Sequence, residues 1–133
     1  MSRRPEVKRT TYLLVDLELS WLTLHKVNAS VVAEAPVTEE DSKGARIKWL
    51  INEKDGAPTF LMRQFTVEPG GFTPYHKHDW EHEVYILEGQ GKVRYEGREE
   101  RIQPGDAILI PPGKMHQFQA GAETLKFLCL VPK

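Results

Sequence analysis

The sequence predicts an all-β sandwich or barrel, and three observations support this fold class. Short apolar or alternating segments recur along the chain, turns rich in glycine and proline separate them, and no stretch has a convincing long helical pattern. The chain has 133 residues, which suits one compact domain with its own core. We find no internal repeat and no linker that would divide it.

The composition argues against nucleic acid and membrane partners. Hydrophobic residues make up 40% of the chain and charged residues 28%, and the formal net charge of -1 creates no strong field towards either. Cys129 is the single cysteine, so no intrachain disulfide can form. No apolar run approaches the roughly 20 residues that span a bilayer. Asp16 and Glu18 interrupt the apolar stretch that an export signal needs, so we expect a cytoplasmic protein.

Residues 1–44 are expected to form an N-terminal extension to a barrel that covers residues 45–133. Residues 1–10 are polar and basic, as in a terminal tail. Residues 11–33 fit both an alternating strand pattern and a helical face, and we favour strands that pack on the barrel or on a dimer partner. Residues 34–45 are polar and contain proline and glycine, which indicates a loop.

The barrel segment alternates strands with turns of recognisable chemistry. Lys54-Asp55-Gly56 is a hairpin-turn sequence, and Val93 and Tyr95 alternate with polar residues as in a half-buried strand. The predicted strands are 46–51, 59–67, 83–87, 92–95, 101–103, 107–110, 115–119 and 124–131. The predicted turns and loops between them are 52–58, 68–71, 88–91, 96–99, 104–106, 111–113 and 120–122.

The clearest functional signal is a group of four histidines: His76, His78, His82 and His116. In a strand, alternate side chains share a face, so the first three can point the same way while Glu83 points away. A Pro-Pro-Gly loop can bring the fourth alongside them. Because imidazole is the commonest side-chain ligand for transition metals, the group predicts a site for one divalent ion.

Two other interpretations of this group are disfavoured. Unrelated surface histidines would rarely fall into two metal-type spacings, and structural zinc sites are usually rich in cysteine, which the group lacks. The fifth histidine, His25, is far from the others in sequence. We expect an ordinary surface or packing role for it.

The spacing of these residues resembles the two motifs of the cupin superfamily, G-x5-H-x-H-x3,4-E-x6-G and G-x5-P-x-G-x2-H-x3-N. His82 stands where the family usually has its glutamate ligand, and Ala120 replaces the asparagine of the second motif. Glu83 fits the longer spacing of the first motif, but only five residues then separate it from the closing glycine. The matching positions are Gly70, His76, His78, Gly89, Gly105, Pro111, Gly113 and His116.

The resemblance implies a double-stranded β-helix, the jelly-roll barrel of the cupins. Within the superfamily, the stretches H-x-H-x-W-E-H-E and F-L-C-L-V-P-K are similar to those of small single-domain members with a four-histidine manganese- or iron-type site. Zinc, nickel or copper would bind the same imidazoles, and the Irving–Williams order makes nickel and copper bind more tightly in vitro. The resemblance is specific for the fold and weak for the reaction.

Strand register predicts which side chains form a substrate pocket beside the ion. Phe118 shares its face with a candidate ligand, and an outward Lys126 would turn Phe127 and Cys129 inward. Trp80 lies between two candidate ligands and is expected near the pocket mouth.

Each pocket residue also has a plainer interpretation. Phe118 and Phe127 fit core packing equally well, and Cys129 fits a small buried hydrophobe better than an oxidation target. Arg63, a charge within an apolar strand, can bind an anionic substrate, although a solvent-facing arginine is the commoner case.

The ligand set limits the chemistry without fixing the substrate. Neutral imidazoles leave the ion its full positive charge, which favours water, hydroxide, carboxylate or enolate at its remaining positions. A six-coordinate ion would keep two positions for a bidentate substrate, or for a substrate and dioxygen. We therefore expect a manganese- or iron-dependent oxygenase acting on a small aromatic or enolisable substrate. The alternatives are an isomerase, lyase or hydrolase that uses the ion as a Lewis acid, and a non-catalytic small-molecule-binding module.

The protein is also expected to be a homodimer. An all-β domain of this size leaves sheet edges and apolar faces to be covered. The outward side chains of Leu128 and Leu130, together with the apolar stretch 11–33, are the candidates for the interface.

Overall fold

The computed structural model describes residues 24–133, and it confirms the predicted all-β fold class. Two single-turn 3-10 helices, Ala29–Val31 and Glu53–Asp55, are the only helical elements in this range, and neither is long or apolar enough to cross a membrane. The strands are β1 Glu34–Pro36, β2 Lys43–Ile51, β3 Phe60–Phe72, β4 His82–Glu88, β5 Gly91–Tyr95, β6 Arg98–Ile102, β7 Ala107–Ile110, β8 His116–Ala120 and β9 Leu125–Pro132.

The nine strands form one curled antiparallel sheet whose two halves are joined by β3. The main path runs β6-β5-β8-β3-β9-β4-β7, and β2 pairs with the other edge of β3 and carries β1. The first part of β3, Phe60–Val67, lies between β9 and β2, whereas Phe72 at its end pairs with Gln119 of β8. Most neighbours in the sheet are distant in sequence, as in the predicted double-stranded β-helix.

The predicted turn at 68–71 is wrong, because these residues lie inside β3. They form an irregularity in the pairing with β2, where β3 has extra residues. Gly70 adopts a φ of 72°, and a Cβ on Gly71 would lie 2.4 Å from the carbonyl oxygen of Lys43. The glycines therefore bend a continuous strand and allow a close backbone approach, whereas the sequence pattern indicated a chain reversal.

The predicted loop over 34–45 contains a short edge strand and the first residues of β2. β1 pairs with the middle of β2, and the Arg46 side chain donates to the Glu34 carboxylate at 2.7 Å and also to Glu68. An edge strand tolerates proline and charged residues, so its composition resembles that of a loop.

The strands predicted over 11–33 are only partly within the described range. Residues 11–23 lie outside it. Residues 24–33 contain the 3-10 turn Ala29–Val31 and no strand. The Asn28 side chain accepts from the Ser30 backbone N–H at 2.9 Å, and this cap favours the turn over an extended chain.

Two of the predicted turns are confirmed as hairpin connections, one of them tighter than predicted. The 52–58 connection is closed by a capping box between Asn52 and Asp55, followed by Gly56 at a φ of 88°. The predicted 96–99 turn is only two residues long, because β6 already begins at Arg98. Glu96 and Gly97 both have positive φ, as primed hairpin turns require.

Strict alternation of burial on β9 and β4 builds the inner face of the sheet. On β9 the prediction is confirmed, since Phe127 and Cys129 are buried while Lys126, Leu128 and Leu130 are only partly covered on the opposite face. The buried hydrophobic core consists of Ala45, Val67, Val84, Ile86, Val93, Ile102, Ile110, Phe118, Leu125, Phe127, Cys129 and Val131.

Gly89, which closes the first sequence motif, should be the least replaceable of the turn glycines. It has a φ of 79°, and a Cβ there would lie 2.0 Å from the Thr124 carbonyl oxygen. Gly97 has a similar φ of 80° with nothing within 4 Å of an added Cβ, so it is a matched control.

We expect Gly97→Ala to lower the free energy of unfolding by about 1 to 2 kcal/mol, through its left-handed backbone alone. Gly89→Ala should cost about 1 to 3 kcal/mol more, because the neighbouring backbone must also move. Urea unfolding followed by tryptophan fluorescence measures both. Equal losses would contradict the close approach at Gly89.

Candidate metal centre

The sheet brings three separate parts of the chain together at the histidines. His82 opens β4, His116 opens β8, and His76 and His78 lie on the irregular segment that leads from β3 to β4. The prediction that the first three histidines share one strand face assumed a continuous strand. The chain instead bends at residues 79–80. The segment is nevertheless fixed to β8 by backbone hydrogen bonds in both directions between His76 and His116, at 3.2 and 2.9 Å.

The Pro-Pro-Gly loop places the fourth histidine as predicted. Gly113 donates its backbone N–H to the carbonyl oxygen of His78 at 2.6 Å, and its own φ is 77°. The loop is thereby held against the segment that carries the first two histidines. His116 follows directly and begins its strand beside them.

Ligand nitrogens of His76, His78 and His116 all lie within 4.8 Å of one another. The Nε2 atoms of His76 and His78 are 3.2 Å apart. Two nitrogens bound at about 2.1 Å to one ion, at roughly a right angle, would be about 3 Å apart. The spacing therefore allows His76 and His78 to occupy two neighbouring positions on one ion, with His116 at a third.

His82 lies against this three-histidine cluster without belonging to its mutually close group. Its ring centroid is 4.8 Å from that of His116 and 5.2 Å from that of His78. Its Nε2 is buried and has no hydrogen-bond partner among residues 24–133. A buried nitrogen without a partner is costly, and a fourth place on an ion would satisfy it.

The carboxylates near His82 point away from the cluster, as register predicts. His82, Val84 and Ile86 are buried on the inner face of β4, whereas Glu83 and Tyr85 are exposed on the outer face. Glu83, which fits the longer spacing of the first motif, could therefore reach the histidines only if the strand shifted by one residue.

Hydrogen bonds orient two of the clustered rings. His116 Nδ1 lies 2.9 Å from the carbonyl oxygen of Lys114, which can only accept, so the proton is on Nδ1 and Nε2 is free to bind. His76 Nδ1 lies 3.4 Å from a carboxylate oxygen of Glu39. The indole of Trp80 stacks on the His78 ring, with centroids 4.5 Å apart and planes 4° from parallel.

The surroundings keep all four imidazoles neutral. Burial lowers the pKa of each below the ordinary value of 6.5, and for His82 the pKa falls to about 3. The neighbouring histidines and the positive charge of Arg63 lower these pKa values further. Neutral imidazole is the form that binds a metal, so the cluster is ready to bind at pH 7.

A cavity of about 320 Å³ opens in front of the histidines. All five side chains predicted for the pocket line it: Arg63, Trp80, Phe118, Phe127 and Cys129. Phe118 and Phe127 are also buried core residues, with ring centroids 4.7 Å apart, so the same two rings belong to the core and line the cavity. Trp80 is 44% exposed and forms part of the rim.

Arg63 faces into the cavity, in contrast to the commoner solvent-facing arrangement. Its guanidinium lies over the rings of Trp49 and Phe65, at 5.6 and 5.0 Å from their centroids. Its Nη2 donates to the Cys129 sulfur at 2.9 Å, and its buried Nε has no partner. Burial raises the pKa of the Cys129 thiol, although the Arg63 charge opposes this effect.

Sequence reasoning missed several residues of this cavity, among them Trp49, Phe65 and Glu39. Trp49 and Phe65 could have been found from register, since Phe65 shares the parity of Arg63 on β3 and Trp49 pairs with Arg63 across β2. Glu39 carries no sequence signal, because it is an ordinary acidic residue in a polar stretch. His25 lies outside the cavity and is exposed at the surface, with its Nε2 3.4 Å from the Leu50 carbonyl oxygen.

The fold and the histidines together define a cupin. Residues 63–131, more than half of the chain, match the family model described as a cupin domain, and the chain therefore belongs to the cupin family. A solved structure of the polyketide cyclase RemF from Streptomyces resistomycificus is 39% identical, with a TM-score of 0.78, and the match covers 83% of this chain and 80% of that one.

Two curated relatives match a shorter part of the chain. The 1-methylthio-D-xylulose 5-phosphate methylsulfurylase of Rhodospirillum rubrum is 39% identical over 71 residues, which are 53% of this chain and 46% of the relative. The oxalate-binding protein of Thermotoga maritima is 32% identical over 73 residues, 53% of this chain and 60% of the relative. The chain thus spans about half the length of these curated relatives.

Each of the four histidines is expected to contribute to metal affinity. Replacing His76, His78, His82 or His116 by alanine should weaken zinc binding at least about tenfold, since even an outer partner of a ligand is worth 10- to 100-fold. Chelator competition and metal content after purification measure this, with His25→Ala as the unaffected control. Retained zinc affinity in His82→Ala together with a loss in Glu83→Ala would mean that Glu83, and not His82, is the ligand from β4.

The metal-free protein should lose stability on acidification. The histidines titrate near 6.5 in the unfolded chain and lower in the folded one, with His82 at about 3. Between these pH values the unfolded chain binds more protons, so the free energy of unfolding should be level above about pH 7 and fall as the pH decreases below 6.5. Urea titrations in chelator at several pH values test this, and His82→Gln should show a smaller loss. An equal loss in this variant would contradict the lowered pKa of His82.

Proposed function

We propose that this cupin is a metal-dependent enzyme that closes a ring in an enolisable, poly-carbonyl substrate. The observation that carries the proposal is the histidine cluster at one side of an aromatic-walled cavity of about 320 Å³. The similarity to a polyketide cyclase over most of both chains supports this reaction class. An intramolecular aldol condensation joins an enol carbon to a carbonyl carbon and releases water, and it requires no oxidant.

The ion would be held by His76, His78, His116 and, as a fourth ligand, His82. When bound, it would supply a Lewis acid that polarises a carbonyl or stabilises an enolate oxygen. The support for the fourth ligand is the buried Nε2 of His82, which has no hydrogen-bond partner in the part of the chain that the structure describes. Since the lowered pKa values keep the ligands uncharged, the charge of the ion is available to the substrate.

The aromatic wall would select and orient the substrate. Trp49, Phe65, Phe118 and Phe127 offer flat apolar surfaces, which exclude water and favour a planar or folding polyketone chain. Trp80 stands at the rim, so it can cover a bound ring while its stacking keeps the His78 imidazole in place.

Two charged residues on the wall have complementary roles in the proposed reaction. Arg63 can donate to the oxygen of an enolate or a phenolate, which neutral substrates acquire as the ring closes. Glu39 is the one acidic residue that lines the cavity within residues 24–133, and it can accept a proton from a substrate carbon. Its contact with His76 Nδ1 also helps to hold that ring.

The oxygenase reaction expected from the sequence remains the second candidate. It uses the same ligands, and its support is the number of positions that four ligands leave on a six-coordinate ion. It requires a redox-active metal and dioxygen. The two candidates differ in whether product forms without oxygen, and the likeness to a cyclase favours the oxygen-independent one.

The decisive experiment is a turnover assay under nitrogen. Protein loaded with zinc, nickel, manganese or iron is incubated with aryl-substituted 1,3,5-triketones, and loss of one water from the substrate is followed by mass spectrometry. We expect ring closure under nitrogen, removal of the activity by chelator, and a drop of at least about tenfold in His116→Ala. His25→Ala should retain full activity.

The same assay in air, with an oxygen electrode, tests the oxygenase reaction. Oxygen consumption that depends on substrate, with no product under nitrogen, would replace the cyclase by an oxygenase. Absence of turnover with every metal, together with tight binding of the triketone, would favour a binding protein over either enzyme.

A further inference from the structure

Three side chains, those of His82, Cys129 and Arg63, meet at Nδ1 of the His82 ring. The Nδ1 of His82 lies 3.3 Å from the sulfur of Cys129 and 3.3 Å from Nη2 of Arg63. The same Nη2 donates to the sulfur at 2.9 Å. Cys129 and His82 are both buried on the inner faces of β9 and β4, so water has little access to this contact.

The position of one proton on His82 decides whether this ring can bind a metal. A neutral imidazole carries its proton on either Nδ1 or Nε2, and the other nitrogen is the acceptor or ligand. If Nε2 binds an ion, the proton must be on Nδ1. If Nδ1 accepts a hydrogen bond from Arg63, the proton must be on Nε2, and that nitrogen cannot be a ligand.

Arg63 cannot favour the metal-binding form by itself. A guanidinium has only donors, so it can donate to Nδ1 but can never accept a proton from it. Sulfur has lone pairs that accept, if weakly. Of the two groups at 3.3 Å, the sulfur of Cys129 is therefore the one that can accept the Nδ1 proton.

We propose that Cys129 is a positioning residue for the metal centre, whose sulfur accepts the Nδ1–H of His82 and so presents Nε2 to the ion. The inference deepens the proposed function and rests on its metal site. Arg63 has a supporting role in this arrangement. Arg63 donates to the same sulfur, and its guanidinium lies against Trp49 and Phe65. These contacts hold both the guanidinium and the sulfur in position beside His82.

A contact between Cys129 and His82 explains why a cysteine stands at this position, which packing alone does not explain. Cys129 stands between Phe127 and Val131 on the inner face of β9, where the other side chains are purely apolar. Valine or alanine would serve the core at this point equally well. The sulfur adds an acceptor at this point, which Arg63 Nη2 uses at 2.9 Å and which the imidazole of His82 needs if its Nδ1–H is to have a partner.

Zinc affinity of two variants at this position provides the first test. Cys129→Ala removes the acceptor, and we expect its zinc affinity, measured by chelator competition, to fall about 10- to 100-fold. Cys129→Ser keeps an acceptor and should retain more affinity than the alanine variant. Val131→Ala is the matched control, because it removes buried atoms from the same face of the same strand and should stay within about threefold of the parent protein.

Unchanged affinity in Cys129→Ala would overturn the proposal, as would a serine variant as weak as the alanine variant. Urea unfolding of the zinc-free proteins shows whether each variant folds. If Cys129→Ala fails to fold, the second test decides without it.

The second test reads the proton on His82 directly. In zinc-loaded protein with ¹⁵N-labelled histidine, nuclear magnetic resonance distinguishes protonated from unprotonated ring nitrogens, and the His82→Gln variant assigns the signals. We expect Nδ1 of His82 to carry the proton and Nε2 to show the shift of a metal ligand. A proton on Nε2, with Nδ1 unprotonated, would mean that Nδ1 accepts from Arg63 or from the Cys129 thiol, and it would refute the proposal.

Neither test uses a substrate, so the two proposals can fail separately. Zinc binding with the expected His82 spectrum, but no ring closure with any triketone, would refute the cyclase alone. Ring closure in a protein whose zinc affinity is unchanged by Cys129→Ala would refute the role of Cys129 alone. A protein that binds no divalent ion would overturn both.

Discussion

The backbone bridge between His76 and His116 is the interaction on which the candidate site depends. Residues directly opposite each other in an antiparallel pair present their side chains on the same face, with Cα atoms about 5.5 Å apart or less. The two rings accordingly lie 5.0 Å apart, and the adjoining contact from Gly113 to His78 fixes the neighbouring ring. The ligand arrangement is thus a consequence of how β8 meets the segment before β4, and the barrel must close before the histidines can act together.

Burying these polar groups together at the cavity lowers the stability of the folded protein. Burial holds four imidazoles in their neutral form, and it leaves the Nε atom of Arg63 and the Nε2 atom of His82 without partners. Buried polar atoms without partners typically reduce stability, and natural proteins tolerate them mainly at functional sites. The regular, fully alternating strands β4 and β9 provide the apolar packing that offsets this cost, with Ile86 and Phe127 completely enclosed.

Sequence reasoning succeeded where side chains alternate between the two faces of a strand. It failed where contacts between segments distant in sequence decide the structure. Alternation alone placed His82 inward and Glu83 outward, and it turned Phe127 and Cys129 towards the core. The glycines at 70 and 71 have turn composition, yet β3 pairs with its neighbours both before them, at Val67, and after them, at Phe72, so they bend the strand without reversing the chain. The edge strand β1 and the contact of Glu39 with His76 depend on partners distant in sequence, which composition does not reveal.

The charges around the cavity favour one kind of substrate over others. Arg63 contributes a positive charge to the wall, an ion on the uncharged histidines would add a second, and Glu39 at 62% side-chain exposure is too well solvated to balance both. Two unbalanced positive charges in a partly apolar space stabilise negative charge, including charge that develops on a neutral group during reaction. An enolisable carbonyl develops such a charge, and it enters the cavity without the desolvation cost of a permanently charged carboxylate. Under the proposed function, the electrostatics of the wall would therefore favour proton removal next to a carbonyl as the reacting step, whichever divalent ion the histidines would hold.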